Sequence, residues 1–549
     1  MFSKACILIA AVASLTAVKA QTCSIDVFQA ILPEGATALS AISVPDDGTF
    51  GDPTEIAYPG NASALPALCA VTINVTSSPS SSFRFGLFLP EDWNGRFSAV
   101  GNGGLAGGIN WPAMGIMARY GFAVMSTDTG HNGTSIDGRF VLNGPETITD
   151  WQYRAMHGSV SEAKAIVKAH YGHNISYSYY NGCSTGGRQG LLEMQLYPED
   201  FDGILAGAPA WESNKIAAYM VQMGSLNLPN TSDHHIPPTL YPLIEAEALR
   251  QCDPVDGVTD GVISDPQACH FRPETLLCNP NQNTSSSACL TAPQLNTLHL
   301  LYGHHSTIAN PLFYHPLSPG TEADWPRFLP ADAPLILGTS SLAYLGLQDP
   351  TWDWRSFNYS IVLDREATGD RRGIPEHFAA TREFAARGAK LLHYHGLADT
   401  LIPWASSRTF YEMMVAGMSV VAAAAQEGVA YDVDDFYRLF FVPGLLHCSG
   451  GAGEAPWYIG GAGSMPAYLG EGVHSVPGQE DAEHDAVLAL VRWVEEGVKP
   501  EFLVTTKWEG DDVEGQVLAR RKACPYPGRA ALVHEGADPR RVESWVCSE

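Results

Sequence analysis

A short glycine-rich stretch, residues 182–186, constrains the fold of this chain more than any other feature, because it reads G-x-S-x-G with Ser184 at its centre. Residues 175–180 before it are aromatic and β-prone, and residues 189–196 after it have a helical pattern. A strand, a tight turn and a helix form the context in which this motif is a nucleophile elbow, which lifts the serine hydroxyl clear of a sheet. The alternative is a glycine-rich turn that carries a surface serine.

Short apolar segments elsewhere predict further strands, each followed by turn residues. These segments are residues 83–89, 97–100, 122–126, 201–208, 389–394 and 436–442. Amphipathic helices are predicted for residues 159–170, with Val160, Ala163, Ile166 and Val167 on one face, and for residues 481–498, with Ala486, Val487, Leu490, Val491 and Val494 on one face. Alternating strands and helices predict an α/β fold built on a parallel sheet, with the functional site at the carboxyl ends of the strands.

Two further candidate site residues come directly after predicted strands. Asp399 lies on a loop past the strand at 389–394, and His447 follows the strand at 436–442. The chain order Ser184, Asp399, His447 is that of the α/β-hydrolase fold, in which the aspartate orients the histidine and the histidine activates the serine. Taken alone, a histidine after a strand is more often a turn residue than a base. The order, the topology and the placement of two cysteines favour a catalytic triad.

A glycine cluster at residues 101–104 directly follows the predicted strand at 97–100. In a serine hydrolase a loop at this point supplies one oxyanion N–H group, and the residue after the nucleophile supplies the other. Thr185 and either Gly103 or Gly104 are therefore the candidate oxyanion donors. The alternatives are an ordinary turn and a phosphate-binding loop, although no G-K-[S/T] sequence follows the glycines.

Residues 1–20 predict a secretory signal peptide. Lys4 supplies a positive charge, residues 5–18 are apolar but too short to span a bilayer, and small residues at the end suit cleavage. The alternative is a buried amino-terminal helix. Export agrees with an even number of cysteines, since loss of Cys6 leaves ten of the 11, and with several N-glycosylation sequons. The sequons lie at Asn61, Asn74, Asn132, Asn174, Asn230, Asn283 and Asn358.

The mature chain is strongly acidic, since removal of Lys4 and Lys19 takes its net charge from −27 to −29. This charge argues against nucleic acids and anionic membranes as partners. A chain of about 530 residues exceeds the size at which one core keeps growing, so two lobes are expected. We expect an α/β-hydrolase catalytic domain from residues 21–210 and 390–549, and an inserted lid domain from residues 211–389, where the strand–helix alternation stops.

Two cysteines adjoin the candidate triad, since Cys183 directly precedes Ser184 and Cys448 directly follows His447. A disulfide holds two Cα atoms about 4.4–6.8 Å apart, so a bond between these cysteines would keep the serine and the histidine side by side. The other cysteines pair most simply as near neighbours, although the sequence leaves the connectivity open. The near-neighbour pairs are Cys23–Cys69, Cys252–Cys269, Cys278–Cys289 and Cys524–Cys547.

An aspartate-rich loop, residues 252–265, lies within the predicted lid. Clustered aspartates repel each other and need solvent or a cation, and glycines let a short loop bring carboxylates and carbonyl groups together. Ligands that are all oxygen favour a hard ion, Ca²⁺ before Mg²⁺. The spacing is not that of an EF-hand, and the alternative is a solvated loop of Asx turns.

These residues together resemble the CS-D-HC arrangement of the tannase and feruloyl esterase family, in Cys183-Ser184, Asp399 and His447-Cys448. The resemblance extends to residues 93–97, the glycine loop, the aspartate-rich loop and residues 524–527. It implies an α/β-hydrolase domain with an inserted lid that binds a structural Ca²⁺. By this resemblance the Ca²⁺ ligands are the carboxylates of Asp253, Asp256 and Asp260 and the backbone carbonyl groups of Val258 and Val262.

The resemblance also implies an activity, that of a secreted serine carboxylic ester hydrolase acting on hydroxycinnamoyl (feruloyl) esters of plant cell-wall polysaccharides. The alternative within the family is a tannase that cleaves galloyl esters. Less favoured are a serine peptidase and a non-catalytic adhesion protein on a hydrolase fold. The expected partners are aromatic ester substrates, with no nucleic acid, membrane or redox cofactor involved.

Overall fold

The computed structural model describes residues 22–279, 288–304, 314–360, 362, 378–424 and 432–548. The predicted signal peptide at 1–20 and the sequon at Asn283 lie outside the described residues. In chain order the strands are β1 Ala36–Val44, β2 Gly48–Phe50, β3 Ala62–Leu65, β4 Leu68–Ser78, β5 Ser81–Pro90, β6 Arg96–Val100, β7 Ala123–Thr127, β8 Tyr177–Cys183, β9 Gly203–Gly207, β10 Lys390–Gly396, β11 Tyr437–Val442, β12 Leu503–Trp508, β13 Val517–Ala523, β14 Arg529–Leu532 and β15 Trp545–Ser548.

Nine of the described strands form the central sheet, in the order β1-β4-β5-β7-β6-β8-β9-β10-β11. The neighbouring pairs β7–β6, β6–β8, β8–β9, β9–β10 and β10–β11 are parallel, whereas β1–β4, β4–β5 and β5–β7 are antiparallel. The predicted parallel sheet is thus confirmed for one part of a mixed sheet. The remaining strands form the two-stranded pairs β2–β3, β12–β13 and β14–β15.

Helices cover both faces of this sheet. In chain order the α-helices are α1 Ile25–Gln29, α2 Trp111–Arg119, α3 Pro145–Thr149, α4 Ala155–Tyr171, α5 Thr185–Leu196, α6 Ser213–Leu226, α7 Tyr241–Cys252, α8 Ala292–Leu301, α9 Trp325–Phe328, α10 Ile336–Ser340, α11 Phe378–Ala386, α12 Ala405–Ala424, α13 Met465–Leu469 and α14 Ala486–Glu496. One hydrophobic core joins the sheet to α4, α5 and α12, and a second joins its other face to α2 and α14. This three-layer arrangement is that of an α/β hydrolase.

The last predicted helix is shorter than expected. It was predicted over residues 481–498, but α14 begins at Ala486 because the Asp485 side chain accepts hydrogen bonds from the N–H groups of Val487 and Leu488. Gly497, with φ 72°, ends it. The predicted inward face is buried at Ala486, Val487 and Leu490 but only half-buried at Val491 and Val494. The other predicted helix is α4, with all four of its predicted inward residues buried.

Between the neighbouring strands β9 and β10 the chain leaves the sheet. The described α-helices of this segment, α6 to α10, share a hydrophobic cluster that includes Tyr219, Trp325 and Phe328. α11 belongs elsewhere, since Phe384 lies in the core with α4, α5 and α12. The segment therefore returns to the sheet before residue 389, and the division into a catalytic and a lid domain stays a prediction.

Five disulfides connect the described residues, in the pairing predicted from the sequence. They are Cys23–Cys69, Cys183–Cys448, Cys252–Cys269, Cys278–Cys289 and Cys524–Cys547. The sequon asparagines Asn61, Asn174, Asn230 and Asn358 are exposed, and Asn74 and Asn132 are half-buried. In the part of the chain described here, no helix has both the length and the apolar character needed to cross a bilayer.

Candidate active site

Ser184 occupies a sharp turn between β8 and α5. Its backbone, with φ 63° and ψ −122°, is in a region that a residue with a side chain rarely adopts. The turn is held by two hydrogen bonds, from Ser184 N–H to Gly207 O (2.9 Å) and from Ala210 N–H to Ser184 O (3.0 Å). A Cβ at Gly186 would lie 3.1 Å from Asn102 O and 3.2 Å from Gly101 Cα, so glycine lets the helix approach the 101–104 loop. This is the geometry of a nucleophile elbow.

Asp399 and His447 form a buried pair on the loops that follow β10 and β11. His447 Nδ1 lies 2.7 Å from Asp399 Oδ2, and the aspartate side chain is fully buried. Asp399 Oδ1 accepts hydrogen bonds from the N–H groups of Leu401 and Ile402, both at 2.9 Å. Burial alone would raise the pKa of Asp399, but the charge of His447 and hydrogen bonds from His395 and His447 hold it well below its usual value. The carboxylate therefore stays ionised at neutral pH.

The structure brings Ser184 and His447 to the wall of one cleft. The disulfide between Cys183 and Cys448 joins the residues next to them, with a Cα–Cα distance of 5.9 Å. Cys448 has φ 65°, a left-handed conformation that costs free energy for a residue other than glycine. The disulfide thus holds a strained residue beside His447 and fixes the loop that carries the imidazole.

Of the three candidate oxyanion donors, Thr185 and Gly104 have backbone N–H groups that donate to no acceptor in the described part of the chain. Thr185 is the first residue of α5, where an N–H group has no partner within the helix, and its hydroxyl donates to Gly104 O at 2.7 Å. Gly104 has φ 57°, and no described residue accepts a hydrogen bond from its N–H. Gly103 N–H differs, since it already donates to the hydroxyl of Tyr58 at 2.8 Å.

Two cavities meet at Ser184. The first is mainly apolar and is lined by Leu105, Trp151, Gln152, Ser213, Asn214, Ile216, Ala217, Met220, Leu337, Ser341, Leu345, Leu401 and Ile402 among others. The second is the cleft that contains His447, and its polar side chains include Tyr58, Asn102, Asn110, Ser135, Asn181, Ser449 and Ser464. The serine therefore stands between an apolar chamber and a polar cleft.

The wall of the apolar cavity is anchored to the elbow helix. The Arg188 guanidinium lies 4.5 Å from the centroid of the Trp151 ring, and its Nη1 donates to Gln152 O at 3.4 Å. Trp151 and Gln152 lie in a π-helical turn, Asp150–Arg154, of a kind that is frequent at functional sites. No described residue accepts a hydrogen bond from the buried Gln152 Nε2, so a polar ligand atom in the cavity would satisfy it.

Three of the four aspartates in the aspartate-rich loop, Asp253, Asp256 and Asp260, lie near Arg521, and the fourth pairs with Arg529. The guanidinium lies 3.0 Å from Asp256 Oδ2 and 3.4 Å from Asp260 Oδ2, and Asp253 accepts hydrogen bonds from the N–H groups of Asp260 and Gly261. Burial and the other two aspartates raise the pKa of Asp260 although Arg521 lowers it. One guanidinium does not neutralise three carboxylates, so negative charge remains in the loop. Charged oxygen ligands of this kind fit a hard cation.

The carbonyl oxygens of Val258 and Val262 add to that fit. Both residues are buried, and no donor among the described residues is hydrogen-bonded to either oxygen. Elsewhere, His157, Glu193 and Asp200 form the one described group of three metal-binding side chains whose ligand atoms all lie within 4.8 Å of one another. The ligand atoms of Asp253, Asp256 and Asp260 do not all lie within that distance of one another.

Several residues of the site were not predicted from the sequence. Tyr58 is 45 residues from its partner Gly103, and Gln152 lies in a turn without a motif, so neither has a local signal. Arg521 is more remote still, 261 residues from Asp260 and 265 residues from Asp256. His395 contacts Asp399 from four residues upstream, and the spacing H-x-x-x-D was the available signal.

This chain is similar to known proteins over most of its length. The sequence profile described as "Tannase and feruloyl esterase" matches residues 69–313 and 336–548. A probable feruloyl esterase B-2 from Neosartorya fischeri is 34% identical over 484 residues, which cover 87% of this chain and 86% of that protein. The crystal structure of feruloyl esterase B from Aspergillus oryzae has a TM-score of 0.83 at 29% identity, over 95% of this chain and 100% of that one.

A more distant structure shows the same fold. The tannin acyl hydrolase from Aspergillus niger has a TM-score of 0.72 at 22% identity, with 96% of this chain and 95% of that chain covered. The profile match, the identity over most of both chains and the shared α/β-hydrolase fold agree with one another. The chain therefore belongs to the tannase and feruloyl esterase family, and it is a carboxylic ester hydrolase.

Proposed function

We propose that this protein cleaves esters of aromatic acids with Ser184 as the nucleophile. His447 takes the serine proton as the hydroxyl attacks the ester carbonyl, and Asp399 orients the imidazole and stabilises its protonated form. The N–H groups of Thr185 and Gly104 hold the oxyanion. His447 then protonates the leaving alcohol, and water releases the acid from the acyl-enzyme. The 2.7 Å contact between His447 Nδ1 and Asp399 Oδ2 supports these roles.

The observation that carries the substrate class is the apolar cavity beside Ser184. Its walls include Trp151, Ile216, Met220, Leu337 and Leu345, which suit the flat face of an aromatic acyl group. The unpaired Nε2 of Gln152 in the same wall supports a ring that carries oxygen substituents. An aliphatic acid would fill this space less completely.

The acyl group we propose is hydroxycinnamoyl, attached to a plant cell-wall sugar. Relatives named feruloyl esterase B match nearly the full length of the chain, and this favours feruloyl over galloyl esters. The polar cleft on the other side of Ser184 suits the hydroxyl groups of a sugar alcohol. Secretion is part of the proposal, because five disulfides need an oxidising compartment.

We expect kcat/KM for methyl ferulate to exceed that for methyl gallate by about tenfold or more. The propenyl spacer adds apolar surface that the cavity can bury, whereas a third ring hydroxyl has to be desolvated there. Release of free acid from both esters, measured side by side, gives the ratio. Methyl butyrate, which lacks a ring, is the control for aromatic selectivity. A preference for gallate would assign tannase activity instead, and no hydrolysis of either aromatic ester would overturn the substrate class.

A structural Ca²⁺ in the aspartate-rich loop is a second part of the proposal. The residual negative charge around Asp253, Asp256 and Asp260 supports it, as do the unpaired carbonyl oxygens of Val258 and Val262. Bound there, the ion would stabilise the loop by neutralising carboxylates, and it has no role in the ester chemistry. The competing account is that the loop is held without an ion, by its pairs with Arg521 and Arg529 and by the Cys252–Cys269 disulfide.

We expect Ca²⁺ to raise the melting temperature relative to protein in EDTA, because an ion that binds only the folded state stabilises it by about 2.7 kcal/mol at 100 times its Kd. Asp256→Asn keeps a hydrogen-bond acceptor but removes charge, so it should abolish this increment. Asp265→Asn is the matched control, since Asp265 lies in the same loop and pairs with Arg529. Equal melting temperatures with Ca²⁺ and EDTA would mean that Arg521 balances Asp256 and Asp260 without an ion.

A further inference from the structure

A continuous line of buried polar side chains leads from Asp399 into the protein interior. Its members are His395, Ser407, His393 and Tyr437, and each of them is 0% exposed. The distances are 3.2 Å from Asp399 Oδ2 to His395 Nε2, 2.6 Å from His395 Nδ1 to Ser407 Oγ, 2.7 Å from Ser407 Oγ to His393 Nε2, and 2.8 Å from His393 Nδ1 to Tyr437 OH. Each separation is within hydrogen-bond range.

Three adjacent elements supply this line. His393 and His395 are two residues apart on β10, so their side chains point to the same face of the sheet. Ser407 is in the first turn of α12, which packs on that face, and Tyr437 begins β11, the strand next to β10. The surroundings are apolar, with the ring of Phe410 near both His393 and Tyr437. Apolar side chains would fill this layer at lower desolvation cost, so packing alone does not require the polar ones.

The direction of the hydrogen bonds follows by elimination. His395 Nε2 also lies 2.8 Å from Ile402 O, and a carbonyl oxygen only accepts, so Nε2 carries the proton. In the tautomer with its proton on Nε2, His395 Nδ1 is an acceptor, and it accepts the proton of the Ser407 hydroxyl. The serine oxygen then accepts from His393 Nε2–H, and His393 Nδ1 accepts from the Tyr437 hydroxyl. Burial holds the pKa of His393 well below its usual value, which keeps that ring neutral as well.

Every hydrogen bond of this line therefore donates toward Asp399. Hydrogen bonds that donate in one sequence polarise one another, which strengthens the last donor, His395 Nε2–H. Asp399 Oδ2 receives that donor and His447 Nδ1–H, while Oδ1 receives the two backbone N–H groups of Leu401 and Ile402. Four donors on two oxygens prevent the carboxylate from rotating about its own bond.

We propose that Tyr437, His393, Ser407 and His395 are positioning residues, which hold the Asp399 carboxylate in the orientation that fixes the His447 imidazole. None of them touches the ester, and they act through Asp399. The inference rests on the proposed serine mechanism. Its physical basis is that a fixed carboxylate needs no reorganisation as the imidazole becomes charged.

The test is the pair of variants His395→Phe and Ser407→Ala, assayed on methyl ferulate. His395→Phe keeps a ring but removes the donor to Asp399, so kcat should fall by about tenfold or more with KM changed less than about twofold. Ser407→Ala leaves His395 in place and breaks the line, so kcat should fall by about threefold or more. In both variants the low-field proton resonance of the His447–Asp399 hydrogen bond should shift. A purely structural role would not move that resonance.

Tyr171→Phe is the matched control, because it removes another buried hydroxyl, which donates to Pro90 O at 2.6 Å in a different part of the core. It should leave kcat and the resonance unchanged. If His395→Phe does not fold, Ser407→Ala decides. The inference is overturned if folded variants keep kcat within about twofold of wild type and leave the resonance in place. Failure of the serine mechanism is recognised separately, by activity that survives in Ser184→Ala.

Discussion

Ser184→Ala is expected to lower kcat on methyl ferulate by about 10⁴-fold or more, with little change in KM. The hydroxyl is the atom that forms the acyl-enzyme, so its loss removes the covalent route and leaves only oxyanion stabilisation and substrate binding. Alanine adds no bulk at the turn, so the strained backbone of Ser184 and the pairing of His447 with Asp399 should persist. The measurement is single-turnover and steady-state release of ferulic acid from purified wild type and variant.

The matched control is Ser98→Ala, which removes a buried serine hydroxyl from β6 whose contact is a 3.4 Å hydrogen bond to Ala99 O. It should retain wild-type kcat. A sulfonyl fluoride provides a second readout, since it should modify the wild-type protein at Ser184 and leave Ser184→Ala unmodified. Activity within about tenfold of wild type in a folded Ser184→Ala protein would show that the elbow serine is not the nucleophile.

The parts of the site that are predictable from sequence are those with a local signature. The turn around Ser184 admits few sequences, since glycine is required where α5 approaches the 101–104 loop, and this requirement appears in the chain as G-x-S-x-G. Buried parallel strands are largely apolar on both faces, so β9 is visible as a short apolar run. Cys183 and Cys448 were informative because they adjoin residues already singled out.

The remaining features depend on contacts between distant segments. β1 pairs with β4 at the edge of the sheet, and its small, partly exposed residues give a weak strand pattern. The choice between Gly103 and Gly104 depends on Tyr58, which reaches the loop from the amino-terminal part of the chain. The start of α14 depends on its side-chain cap, Asp485. Several other polar residues before the helix are also suitable caps, so the sequence does not identify the first residue of the helix. Such features are set by tertiary packing.

Replacing both cysteines of the Cys183–Cys448 disulfide by alanine is expected to have the largest effect on stability. The bond closes a loop with a sequence separation of 265, and on the chain-entropy model its loss costs about 5 to 6 kcal/mol. The same change frees Cys448 from its left-handed conformation, so the loop that carries His447 can relax. A displacement of about 1 Å between nucleophile and base is enough to lower kcat about 10²-fold, so stability and activity should fall together.

The double variant Cys524→Ala/Cys547→Ala separates these two effects. Its disulfide joins the residue after β13 to β15, with a sequence separation of 23. The same model therefore gives a loss of about 3 kcal/mol in the free energy of unfolding. Because neither residue borders the cavities at Ser184 and His447, kcat below the melting transition should stay near wild type. Thermal unfolding and ferulate release measured on both double variants test the difference. Equal kcat in the two folded variants would mean that packing around His447, rather than the disulfide beside it, sets the position of the imidazole.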